Sequence, residues 1–113
     1  MPIDEKMEKC ADVCLQCFKT CIKAISHYLE MGGEHAQLDH LKNLKDCAAI
    51  CKTTAEFLLN GSEKHGSLCA LCDDICVECA VECERFENDQ EMAQCARVCR
   101  LCAAECEGMA PAA

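Results

Sequence analysis

Fifteen of the 113 residues in this chain are cysteine, and their spacing is the first chemical signal in the sequence. They form four groups: Cys10, Cys14, Cys17 and Cys21; Cys47 and Cys51; Cys69, Cys72, Cys76, Cys79 and Cys83; and Cys95, Cys99, Cys102 and Cys106. Every step inside a group is 3 or 4 residues. A thiol can serve as nucleophile, redox partner, disulfide half or soft metal ligand. An odd count excludes complete pairing within one chain, so a disulfide framework is a poor reading. A CxxC redox centre belongs at an electropositive helix N-terminus beside a βαβ unit, and no such pattern surrounds these pairs. The C-x₂-C-x₂-C run of ferredoxin-type iron–sulfur sites is also absent.

Steps of 3 and 4 are the period of one helix face. At about 100° per residue, the four cysteines of the first group fall within about 60° of arc, as do those of the last, and the five of the third span about 80°. Other residues extend these stripes: Met7 before Cys10; Ala24, Tyr28 and Met31 after Cys21; His40 and Leu44 before Cys47; Thr54 and Leu58 after Cys51. His65 leads into Cys69, Phe86 follows Cys83, and Met92 and Met109 flank the last group. Charges such as Asp73, Asp74, Glu78, Glu82, Arg97 and Arg100 lie between the stripes, so each segment is amphipathic with sulfur where leucine usually stands.

Punctuation divides the chain into helices expected near 3–31, 35–59, 63–87 and 90–107. Pro2 suits a first helical turn and Gly32-Gly33 closes the first helix. Asn60-Gly61 closes the second and Ser62 can cap the third. Asn88 with Glu91 reads as a capping box for the fourth, which Gly108 and Pro111 end. Such short connections favour antiparallel neighbours, and the fold class expected is all-α: one up-down-up-down four-helix-bundle domain over 1–113 with a cysteine core.

Composition supports a sulfur core. Leu, Ile, Val and Phe number only 22, and the net charge is −9. Those values describe a disordered chain unless cysteine counts as core, and reduced cysteine is among the most buried residue types. The acidic balance argues against a nucleic-acid partner, and no apolar run reaches the length of a membrane span. The N-terminal segment lacks the charged and apolar regions of a secretory signal, so a cytosolic (cytoplasmic) location is expected, where structural disulfides are rare.

Thiolates gathered in a dry core need their charge neutralised. Monovalent, soft Cu(I) does this one for one if each ion takes two sulfurs and each sulfur bridges two ions. Tetrahedral zinc with four unshared thiolates leaves −2 per site. The seven CxxxC pairs and four CxxC pairs provide clips for two-coordinate Cu(I), since side chains so spaced lie about 5–6 Å apart at Cβ. Facing pairs could also hold zinc. A multi-ion Cu(I) store without enzymatic activity is the favoured reading; a zinc-binding protein, a thiol-redox enzyme and a helical interaction module with inert cysteines remain as alternatives.

The run from Cys69 to Cys83, followed by the Cys95–Cys106 ladder, resembles the cytosolic bacterial copper storage proteins, and the likeness extends to the Cys10–Cys21 ladder and the sparser second helix. The resemblance implies a four-helix bundle, a homotetramer, and Cu(I) ions held by all fifteen cysteines. Exported members of that family carry a twin-arginine leader, which is not seen here. The departure from the pattern is the second helix, where Thr54 and Leu58 occupy stripe positions.

An antiparallel bundle collects Met7, Leu58, His65 and Met109 at one end. Thioether and imidazole bind copper more weakly than thiolate, so Met7, His65 and Met109 are the expected metal port. Tyr28, His40, Phe86 and Met92 gather at the other end, which reads more as a plug, though His40 and Met92 keep it open as an alternative port. His27 and His35 are expected on the surface.

Overall fold

The computed structural model describes residues 3–33 and 37–111. Four helices follow in order: α1 (Glu5–Met31), α2 (Leu38–Leu59), α3 (His65–Glu84) and α4 (Gln90–Met109). Helix α1 packs on α2 and α4, and α3 packs on the same two, so α1 faces α3 across the bundle and α2 faces α4. At about 1.5 Å per residue, α1 is about 40 Å long, and it sets the long axis of a body measuring 46 × 24 × 20 Å. There is no strand among the described residues.

The helix ends differ from the sequence expectation for local reasons. Helix α1 begins two residues later than expected, its first turn organised by the Asp4 carboxylate, which accepts from the Met7 N–H at 2.8 Å; Pro2 lies outside the described residues. It ends where expected, with Gly32 at φ 65°, a conformation that favours glycine. Met31 therefore sits at the helix edge, 56% exposed, and does not continue the buried stripe. The expected start of α2 at 35 lies outside the described residues, as does His35.

Helix α3 is shorter than expected at both ends. Ser62 Oγ accepts from the N–H of Lys64, two residues on, and so forms a local turn rather than the cap. At the far end the chain leaves the helix at Arg85, and Phe86 reaches the core from a turn. In α4 the cap is Asp89 rather than Asn88, its carboxylate accepting from the Met92 N–H at 3.1 Å. Gly108 does not stop α4; the helix continues to Met109, and Ala110 turns extended ahead of Pro111, as a residue before proline does.

The core is largely sulfur. All fifteen cysteines are 0% exposed, Ala24 continues the α1 stripe, and small alanines (Ala11, Ala48, Ala55, Ala80, Ala96 and Ala103) fill the flanks of the stripes. Alanine beside cysteine lets the helices approach closely enough for sulfurs of different helices to meet.

Candidate metal centre

Helical phasing aims each cysteine ladder at the bundle axis, and the ladders interdigitate. From one end, Cys10 Sγ lies 3.9 Å from Cys106, which lies 3.7 Å from Cys14. Cys14 meets Cys102 at 3.8 Å, and Cys102 meets Cys51 at 3.9 Å. Cys51 stands 3.6 Å from Cys76 and 3.8 Å from Cys72, and Cys76 is 3.7 Å from Cys47. Cys47 continues to Cys17 at 3.9 Å and Cys99 at 3.8 Å; Cys99 leads to Cys95 at 4.0 Å, and Cys95 to Cys21 at 3.9 Å. The contacts run along the bundle without a break and cross all four helices. All fifteen thiols are free.

The contacts also close into compact tetrads, each with its four sulfurs within 4.8 Å of one another: Cys14, Cys72, Cys102 and Cys106; Cys17, Cys21, Cys47 and Cys99; Cys17, Cys47, Cys51 and Cys76; Cys21, Cys79, Cys95 and Cys99; and Cys51, Cys72, Cys76 and Cys102. A metal–thiolate bond of about 2.3 Å sets sulfurs about 3.8 Å apart around a tetrahedron, about 4.0 Å in a trigonal plane and about 4.6 Å across a linear ion. The observed separations need only small adjustments for any of these. Because the tetrads share members, filling all of them at once requires sulfurs that bridge.

Protonation follows the same network. Cys69, at one end, is pushed up to about 12 by its sulfur contact with Cys10 and by burial. Cys83, at the other end, is pushed up by Cys79, Cys95 and burial. Within the column the sulfur contacts act in both directions: Cys106 is raised by Cys10 and Cys102, whereas Cys95 is lowered by Cys21 and Cys79. Burial acts upward on each of these four thiols. The charges of several thiolates within 4 Å would oppose one another in this dry interior, so without metal the core keeps its protons at neutral pH.

The two ends close differently. At the first, Met7 is buried while His65 and Met109 are half-buried. His65 Nδ1 donates to the Ser62 carbonyl at 2.7 Å. In the neutral ring this leaves Nε2 as the nitrogen with a lone pair, the arrangement that orients a metal-ligating histidine. Gly66 approaches the C-terminal segment so closely that a Cβ there would stand 3.1 Å from Pro111 Cδ. Leu58 and Thr54 are fully buried on the α2 side, the Thr54 hydroxyl pointing to the Leu68 carbonyl at 3.5 Å.

At the second end Tyr28, His40, Phe86 and Met92 form one packed group, as their stripe positions suggested. The His40 ring lies edge-on to Tyr28 at 4.7 Å and tilted against Phe86 at 4.9 Å. His40 Nε2 is 3.4 Å from Met92 Sδ, and the Tyr28 hydroxyl donates to the Gln37 carbonyl at 2.6 Å. His27 is not the plain surface residue expected: it is half-buried, with Nε2 2.8 and 3.1 Å from the two Asp89 carboxylate oxygens. That contact joins α1 to the cap of α4. Its signal in the sequence was a histidine beside the stripe and an aspartate at a helix start.

The comparisons with known proteins agree with this geometry. Residues 3–111 match the family described as copper storage protein. The chain belongs to the copper storage protein family. Among solved members and relatives, Cu(I)-bound copper storage protein BsCsp3 superimposes with a TM-score of 0.89 at 30% identity, covering 95% of this chain and 100% of that one. Apo-Csp3 from Bacillus subtilis gives 0.84 at 31% identity, with 92% and 98% coverage. A structural-genomics target protein from Nitrosospira multiformis gives 0.89 at 40% identity, with 95% and 96% coverage. A Bacillus subtilis protein described as the uncharacterized cysteine-rich protein YhjQ is 32% identical over 87 residues, spanning 77% of this chain and 81% of its own length. The copper storage family thus accounts for both the bundle and its sulfur lining. Among the described residues, no helix is long and apolar enough to cross a membrane.

Proposed function

We propose that this chain stores or sequesters copper as Cu(I), with the fifteen cysteines as ligands and no catalytic step. The observation that carries the reading is the unbroken column of fully buried, free thiols crossing all four helices. One positive charge per ion against one negative charge per bridging thiolate keeps the filled interior close to neutral. Zinc bound to four unshared thiolates does not.

Met7, His65 and Met109 are proposed as the port. Two thioethers and an imidazole bind Cu(I) more weakly than the thiolates behind them, so an ion passes inward by exchange to stronger ligands. The half-burial of His65 and Met109 supports this end over the other, where aromatic packing covers His40 and Met92. We assign the chain to the cytoplasm and propose a homotetramer as its assembled form. Leu15, Ile22 and Leu29 form an exposed apolar line along α1 that supports self-association.

The test is an anaerobic titration of the reduced protein with Cu(I) in competition with a chromogenic chelator. The chelator stays uncoloured until an endpoint near one copper per cysteine. An endpoint of one or two ions would overturn the store in favour of a transport or regulatory site. Light scattering after size exclusion measures the assembled mass; a monomer at all loadings would overturn the tetramer alone.

A further inference from the structure

The overlapping tetrads contain a second arrangement. Three of them share no member and divide the column lengthwise into separate compartments. Nearest the Met7 end, Cys14, Cys72, Cys102 and Cys106 include sulfur pairs at 3.7 and 3.8 Å. In the middle, Cys17, Cys47, Cys51 and Cys76 include pairs at 3.9, 3.7 and 3.6 Å. Toward the His40 end, Cys21, Cys79, Cys95 and Cys99 include pairs at 3.9 and 4.0 Å. These separations fit the edge of about 3.8 Å that a tetrahedral thiolate site requires.

We infer that the copper-free core has a second binding mode: three discrete tetrathiolate sites, each taking one divalent d¹⁰ cation such as Zn²⁺ or Cd²⁺. Each site spans the bundle from α1 to α3 and recruits its remaining ligands from α2 or α4. No sulfur has to bridge, in contrast to the copper-filled state.

Charge ranks the two modes. One divalent ion displaces four thiol protons and leaves a site of charge −2 in the dry interior, so the cation is held less firmly than bridged Cu(I). Four Cu(I) ions entering such a site neutralise its four thiolates and expel one divalent ion, with no proton exchanged. Copper loading of the divalent form is therefore metal exchange. Loading of the metal-free form is proton displacement, and the two routes differ in a measurable product.

The experiment uses the full chain, reduced and metal-free, without oxygen. Cd²⁺ is titrated while the thiolate-to-metal charge-transfer band is followed, and Zn²⁺ is titrated against a chromogenic chelator; Cu(I) is then added to each product. The expected result is a break at about three ions per chain, followed by their full release under Cu(I) with tetrad protons already gone. Cys99→Ala breaks two of the tetrads, including the one nearest His40, and should lower the endpoint to two. Cys83→Ala removes a copper ligand that borders the third site without belonging to it, so it should lower the Cu(I) endpoint while leaving the divalent endpoint at three. Circular dichroism of both variants verifies the fold. No divalent uptake, or uptake that continues past three without a break, would overturn the inference. A parallel Cu(I) titration separates the two readings: normal copper capacity without divalent sites sinks only this one, whereas loss of both sinks the store as well.

Discussion

Copper loading should release close to one proton per ion, and the structure sets the size of that release. All fifteen cysteines are free and fully buried. In water a thiol titrates near 9.0; sulfur contacts raise some members of the column, such as Cys69 and Cys83, and lower others, such as Cys10 and Cys95. Burial acts upward on all four, and the mutual repulsion of closely packed thiolates keeps the dry core protonated. A neutral-pH core of S–H groups that becomes a core of copper thiolates loses one proton for each thiolate formed. Full loading should therefore release about fifteen protons per chain and leave the net charge at its starting −9. Below the thiol titration range, one proton per copper makes the affinity rise about tenfold, or about 1.4 kcal/mol, for each unit of pH. The assay is anaerobic addition of Cu(I), delivered as a proton-free complex, to weakly buffered protein in a pH-stat. Chelator competition at several pH values gives the slope. A release below about half a proton per copper, or an affinity flat between neutral pH and pH 8, would refute the reasoning by placing copper on thioether and imidazole or on thiolates already ionised.

Further predictions rest on particular residues. Burial acts upward on the thiols at the ends of the column, Cys10, Cys69 and Cys83, so the stability this contributes is fully present below the ordinary thiol value of 9.0 and is lost as pH rises above it; urea unfolding of the copper-free protein across that range should show stability falling with pH. Thr54→Cys extends the α2 ladder, removes only a long 3.5 Å hydrogen bond, and should raise the Cu(I) endpoint by about one ion while changing metal-free stability by less than about 1 kcal/mol. Asp89→Ala removes the α4 cap together with the His27 contact and should cost about 1–2 kcal/mol in urea unfolding, leaving copper capacity unchanged. Leu58→Ala opens a cavity under the port end and should cost about 2–5 kcal/mol, read as a lower Tm of the metal-free protein.

The ladders were legible because a helix that buries one face repeats its burial every 3 or 4 residues, and cysteine marks that face more sharply than mixed aliphatics do. The stripe positions of His40, Thr54, Leu58 and Met92 followed from the same phase, and all four are buried. Helix ends were harder to read. Asn88 and Asp89 are both good cap residues, one position apart, and the choice falls on Asp89, which also holds His27 from a helix 62 residues away. Glycine is a stop signal only when the chain adopts the left-handed conformation, as at Gly32; Gly108 stays helical because Pro111 supplies the stop. The tetrads were beyond the sequence altogether. Their members come from three helices each, and which rungs meet depends on the relative heights of the helices.

Helix α2, the sparse member of the pattern, has a definite role in this geometry. Its two cysteines meet the column only in the middle, where Cys51 touches Cys72, Cys76 and Cys102 and Cys47 touches Cys17, Cys76 and Cys99. Beyond them α2 places His40 and Leu44 toward one end and Thr54 and Leu58 toward the other, all buried. A fourth full ladder would add ligands but would leave the bundle with still fewer large apolar side chains, when Leu, Ile, Val and Phe already number only 22. Copper thiolate clusters also gain from a dry, low-dielectric surrounding in which each charge is felt strongly by its partner. By giving up two rungs, α2 supplies apolar closure at both ends of the sulfur column and part of the core that holds the bundle together before metal arrives. Capacity and metal-free stability thus oppose one another along this helix, and the Thr54→Cys and Leu58→Ala variants move along the two sides of that balance.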